Sequence, residues 1–140
     1  MATMTAAAKQ AAEKEKYNAF LADCPSQQLL GRVADKWVAL ILSALGSGPG
    51  CDAEPAPLRY SDLARVIAGV SPKMLTQTLR SLERDGLVTR TATPTVPVTV
   101  TYELTDLGLS LHETVRQIKR WAEAHMDAVF AARADYDDGR

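Results

Sequence analysis

The sequence predicts a mainly α chain with a small β-hairpin (α+β), and three observations carry that reading. Apolar residues recur at helical spacing through most of the chain. A short helix and a "GV" turn precede a second, well-capped helix, "SPKMLTQTLRSLER". Two short β-prone runs follow, "LVTRTA" and "VTVTYEL", separated by the turn "TPTVP". Helix, helix, helix and a two-stranded wing is the order of a winged helix-turn-helix.

Size and composition fit that fold. At 140 residues, 46% apolar and 24% charged, the chain is expected to form one globular domain over 1–140. No apolar run approaches the roughly 18 residues of a membrane span, so no membrane partner is expected. The N-terminus lacks the continuous apolar core of a secretory signal, and a cytoplasmic location follows as an expectation.

The elements read in order. Residues 5–22 are rich in Ala, Lys and Glu and predict a helix with only a weak apolar stripe. In "DCPSQQLLGRVADKWVALILSAL", Pro25 suits a first helical turn. Leu29, Leu30, Val33, Trp37, Leu40, Ile41 and Leu45 form the expected inward stripe of a central helix, broken near Ala34–Asp35. "GSGPGCDAEPAPLR" predicts a loop. "YSDLARVIA" predicts a short helix with Ser61 as its cap, and Gly69 supplies a positive φ in the turn. Ser71 and Pro72 then cap and open the next helix, Leu75, Leu79 and Leu82 face inward, and Gly86 stops it. After the hairpin, "LTD" opens a long helix from Asp106 to about Ala134. Its expected inward stripe is Leu111, Val115, Ile118, Ala122, His125 and Val129. The two tryptophans, Trp37 and Trp121, are read as core.

Net charge is −1, so this is not a globally basic chain. Charge is nevertheless uneven: Arg59, Arg65, Lys73, Arg80, Arg84 and Arg90 face only Asp62, Glu83 and Asp85 over the same span. On the helix from Ser71, the face opposite the leucines carries Lys73, Thr76, Gln77, Arg80 and Arg84. That chemistry suits double-stranded DNA: Lys and Arg reach phosphates or guanine edges, and Gln pairs with adenine. Ser71, Pro72, Lys73, Thr76 and Gln77 lie at the end of such a helix that meets bases. Arg80 and Arg84 lie nearer the phosphates. Arg90 at the wing base and Thr93, Thr95 and Thr99 in the wing are candidates for backbone contact, although an ordinary solvated hairpin would carry the same threonines.

Several motifs together resemble the HxlR-type (DUF24) winged-helix regulators, relatives of the MarR-like regulators. They are "CP" at Cys24–Pro25, "DKWVALIL", "RYSDLARVIAGVSPKMLTQTLRSLERDGLVTR" and "TYELTDLG", and they cover about Cys24 to Trp121. Val70, Ser71, Lys73, Leu75, Thr76 and Leu79 match the most specific part. The loop Gly46 to Leu58 is longer than the usual connection, and "VAD" stands before Lys36 where glycines are common. The resemblance implies a homodimeric transcriptional regulator, by expectation a repressor, on a two-fold DNA operator. Terminal helices at 5–22 and 105–134 would flank a winged core at 24–104 and supply the dimer interface. Both are too weakly amphipathic, or too long, for full burial in one small domain.

The resemblance also marks Cys24 as a candidate redox sensor, since several relatives use the equivalent cysteine to detect oxidants or electrophiles; a small-molecule effector is the other reading. A helix N-terminus favours a thiolate, whereas Asp23 next door opposes it. The bland alternative for Cys24 is a small buried apolar side chain. Cys51 reads as an incidental loop thiol. No cofactor, metal site or enzyme activity is expected: the cysteines form no CxxC pair, and His112 and His125 have no nucleophile, carboxylate pair or phosphate loop beside them. A winged helix that binds protein rather than DNA is the competing function.

Overall fold

The computed structural model describes residues 5–16, 24–48 and 53–139. Two compact units divide at Lys36 and are described separately. The first, residues 1–36, contains α1 (Ala6–Lys16) and α2 (Pro25–Val33). Thr5 Oγ1 accepts from the Ala8 amide and opens α1. The expected extension of this helix to residue 22 lies outside the described residues, as does Cys51. Cys24 is the N-cap of α2 and Pro25 its first residue, as the sequence predicts.

The apolar stripe expected along α2 is corrected by the structure. Leu29 and Leu30 are 49% and 59% exposed, and α2 buries no residue. The helix ends at Val33, with the Ala34 amide donating to the Leu30 carbonyl. The break at Ala34–Asp35 thus separates the leucines of α2 from the stripe that follows.

The second unit, residues 37–140, holds the core. The helix α3 (Lys36–Ser47) buries Val38, Ile41, Leu42 and Leu45, while Leu40 points outward and Trp37 is half-buried. It runs two residues into the expected loop, because Gly46 is packed rather than free. The chain then folds back: Ala53 and Ala56 amides donate to the Ser47 and Leu45 carbonyls, satisfying groups that a helix end leaves open.

A two-residue strand β1 (Leu58–Arg59) was not foreseen and makes the sheet three-stranded. With β2 (Val88–Thr93) and β3 (Thr99–Leu104) the order is β1-β3-β2, all antiparallel. Two residues are too few to show the alternation by which a strand is read. The short helix α4 (Tyr60–Val66) is capped by Arg59, not Ser61: the Asp62 carboxylate reaches back to accept from the Arg59 amide at 3.3 Å.

After the turn at Gly69 (φ 83°), α5 (Pro72–Arg84) seats Leu75, Leu79 and Leu82 against Ile41, Leu42, Leu45 and Leu63. Each such leucine contributes about 1.5–3 kcal/mol by leaving water. The end of α5 closes as two nested turns. The Gly86 amide donates to the Glu83 carbonyl and the Leu87 amide to the Leu82 carbonyl, with Gly86 at φ 76°.

One hydroxyl joins this end to the last helix, α6 (Asp106–Asp138). Thr105 Oγ1 accepts from the Gly108 amide at 3.0 Å and donates to the Gly86 carbonyl at 2.6 Å. Gly108 packs on the Leu87 carbonyl with no room for a side chain. The helix has 33 residues, roughly 50 Å at 1.5 Å per residue. It buries Gly108, His112 and Val115 only. The predicted stripe holds at Leu111 and Val115 and loses its cover beyond them: Ala122 and Val129 are half-buried, Ile118 and His125 are exposed, and Trp121, expected in the core, is 55% exposed and stacked on His125 with ring centres 4.6 Å apart. The helix outruns the small domain that could cover it. No described helix is long and apolar enough to cross a membrane.

Candidate nucleic-acid interface

The surface of interest is built from α4, the Gly69 turn, α5 and the β2–β3 hairpin. Ser71 Oγ accepts from the Met74 amide at 3.1 Å, and Pro72 occupies the first turn, where its missing N–H is no loss. The apolar side of α5 is held in the core, so its opposite side must face solvent. Ser71, Pro72, Lys73, Gln77, Arg80 and Arg84 are all exposed there, and Thr76 is half-buried at the margin.

Tyr60 fixes this helix from outside. Its hydroxyl donates to the Pro72 carbonyl at 3.0 Å and lies 3.3 Å from Thr76 Oγ1. Sequence reasoning assigned Tyr60 no role of its own. Tyr60 opens α4 at the end away from the Gly69 turn, and its bond to Pro72 joins residues twelve apart.

Charge sorts the basic residues into two groups. Asp62 takes Arg65 at 2.9 Å and Arg59 at 3.4 Å. The Arg59 backbone amide holds the Asp62 carboxyl below its ordinary value; desolvation opposes it, and the two guanidiniums add smaller lowering effects. Arg59 and Arg65 thus share one carboxylate, so the trio keeps a net charge of only +1, which the bare count of charges did not reveal. Lys73, Arg80, Arg84 and Arg90, with Gln77, make no side-chain ion pair or hydrogen bond among the described residues. Four cations without partners among the described residues, on one element and its neighbouring hairpin, are ready for phosphate.

A hollow of about 380 Å³ between α5 and the hairpin brings Thr76, Arg80 and Arg90 together, with Glu83 and Tyr102 completing its wall. Arg90 stands opposite Tyr102 in the β2–β3 register. Thr95 is separate. It lies at the hairpin tip, five residues and roughly 15 Å of strand beyond Arg90. Its hydroxyl faces the Pro97 carbonyl at 2.8 Å and Thr99 Oγ1 at 3.0 Å, so it ties the tip together. Thr89 to Thr93 are exposed, leaving the outer edge of the wing in solvent.

Cys24 belongs to the first unit. It is 2% exposed, with extended backbone (φ −67°, ψ 133°), and its side chain makes no capping hydrogen bond. Among the described residues no group of three or more His, Cys, Asp or Glu is placed to hold a metal ion.

Comparison with known proteins agrees with this geometry. Residues 32–130 match the family model described as HxlR-like helix-turn-helix. The HTH-type transcriptional regulator YtfH of Escherichia coli strain K12, itself uncharacterised, is 43% identical over 116 residues, 83% of this chain and 86% of that one. A Salmonella typhimurium structure described as the transcriptional regulator ytfH superposes with a TM-score of 0.71 at 40% identity, covering 84% of this chain and 97% of that one. The redox regulator HypR in its oxidised form is similar at a TM-score of 0.62 and 31% identity, over 73% of this chain and 97% of that one.

Proposed function

Because the chain belongs to the HxlR-like helix-turn-helix family, whose members compared above are transcriptional regulators, we propose that it acts by inserting α5 into the DNA major groove as a homodimeric repressor. The observation that carries this reading is the set of cations on α5 and Arg90 that have no partners among the described residues, beside Arg59 and Arg65, which share Asp62. Lys73 and Gln77, near the helix N-terminus, meet base edges, with Ser71 and Pro72 at the point of entry. Arg80 and Arg84 reach phosphates, as does Arg90 from the wing base, with Thr95 bracing the wing tip beside the backbone.

The outward face of α6 supports the dimer. Ile118, Trp121, His125, Val129 and Tyr136 fall on one side of the helix by their spacing, and Ile118, Trp121 and Tyr136 are each more than half exposed. A second copy covering this stripe removes it from water and sets two α5 helices on a two-fold site. The N-terminal helix would join the interface, with 24–104 acting as the reading module.

Release by an oxidant or electrophile at Cys24 is the regulatory part of the proposal. It draws on the N-cap position of the thiol and on the likeness to a redox regulator. The exposed apolar stripe of α6 would also suit a protein-binding module, and the kinship with transcriptional regulators is what favours the DNA-binding reading over it.

Selection from random-sequence duplex DNA tests the proposed reading of a two-fold site by α5. A two-fold operator with half-sites about one helical turn apart, or a multiple of it, is expected. Recovery of no enriched sequence would overturn it.

A further inference from the structure

One hydroxyl on α5 has its hydrogen-bonding direction decided by a residue outside the helix. A phenol carries a single proton. Tyr60 has two oxygens in reach, the Pro72 carbonyl at 3.0 Å and Thr76 Oγ1 at 3.3 Å. The carbonyl can only accept, and it is the nearer, so the Tyr60 proton goes there. The contact with Thr76 is then a hydrogen bond only if Thr76 donates to the Tyr60 oxygen. In that arrangement the one Thr76 proton is used on Tyr60, and the Thr76 oxygen is left to accept. Thr76 is only half-buried and lines the hollow with Arg80 and Arg90.

We propose that Tyr60 is a specificity-determining positioning residue: by accepting the Thr76 proton, it makes Thr76 an acceptor-only reader of the major groove. This rests on the proposed role of α5 in reading DNA. Such an oxygen matches the exocyclic amino group of adenine (N6) or cytosine (N4), the groove's amino donors. It has nothing to offer guanine O6 and N7, thymine O4 or a phosphate oxygen, all of which also accept. Thr76 thus reads a base and does not brace the backbone.

The test uses the operator obtained by selection, with each half-site position changed in turn to all four bases. Binding is compared for the wild-type protein, Tyr60→Phe, Thr76→Val and the double variant. At one position per half-site the wild type should favour A or C over G or T by about fivefold, the worth of one net hydrogen bond. Tyr60→Phe keeps the ring but frees the Thr76 proton, so the preference at that position should vanish while preferences elsewhere and the salt dependence stay unchanged. Thr76→Val should lose the same preference, and adding Tyr60→Phe to it should change nothing more. A purely structural role for Tyr60 would instead weaken all sequences alike. A Tyr60→Phe profile identical to wild type, or a Thr76-dependent preference for G or T, overturns the proposal and leaves α5 as a reader. Failure of the wild type to prefer any sequence overturns both.

Discussion

The imidazole of His112 lies directly on the bare α-carbon of Gly46, so close that a methyl group at position 46 would overlap the ring. This contact joins α3 to α6 and explains why the helix continues through a glycine that the sequence places in a loop. Exchanging a solvent-exposed helical glycine for alanine ordinarily stabilises a protein by about 0.4–1 kcal/mol. At Gly46 the sign should reverse. Gly46→Ala should lower stability in urea by about 1–3 kcal/mol through overpacking, and His112→Ala in the same chain should recover part of the loss. Gly31 in α2, where a methyl group would have no neighbour within 4 Å, is the control and should show the ordinary gain.

His112 also makes stability depend on pH. Burial, reinforced by the charge of Arg116 and opposed by Glu113, holds its pKa below the ordinary 6.5. Its Nδ1 is buried without a partner among the described residues. The folded state therefore binds this proton less readily than the unfolded chain. Stability should be complete above about pH 6.5 and decline as pH falls below that value toward the folded pKa. Urea unfolding at pH 7.5 and 5.5 should show the decline in wild type, with a smaller one in His112→Gln. An equal decline in both would assign it to other groups.

The entry to α5 should be sensitive to one hydroxyl. Ser71→Ala removes the acceptor for the Met74 amide and should cost about 1 kcal/mol. Chemical denaturation measures it, and Ser71→Asp, which restores an acceptor, should return most of the loss.

Cys24→Ser should leave DNA binding intact and abolish release by diamide. The 2% exposure of the thiol makes the reaction slow relative to a free surface cysteine, so release should be followed over time. Release at the wild-type rate in Cys24→Ser would remove Cys24 from the mechanism.

Much of this was legible in the sequence, for reasons that differ by element. The limits of α5 were readable because Ser71, Pro72 and Gly86 each do one local job, and its inward leucines because a single core receives them. The outward face of α6 was misread as core. Its periodicity from Ile118 onward is real, but spacing says which residues share a face and not what covers it. Trp121 shows the same limit, since size and apolarity favour burial without providing a neighbour. The Tyr60–Pro72 bond, the β1–β3 pairing and the Gly46–His112 contact depend on chain segments brought together by folding, and no local pattern announces them. The sharing of Asp62 by Arg59 and Arg65 sits between these cases. Its i, i+3 spacings are visible in the sequence once α4 and its cap are placed.

The salt dependence of DNA binding tests most directly whether Arg80 and Arg84 of α5, unpaired among the described residues, bind phosphate. Fluorescence anisotropy with operator DNA should give a steep linear fall of log affinity with log salt. Arg80→Ala and Arg84→Ala should each weaken binding to specific and scrambled duplexes alike and reduce the slope by about one. Binding that ignores salt, or slopes unchanged in both variants, would contradict the account.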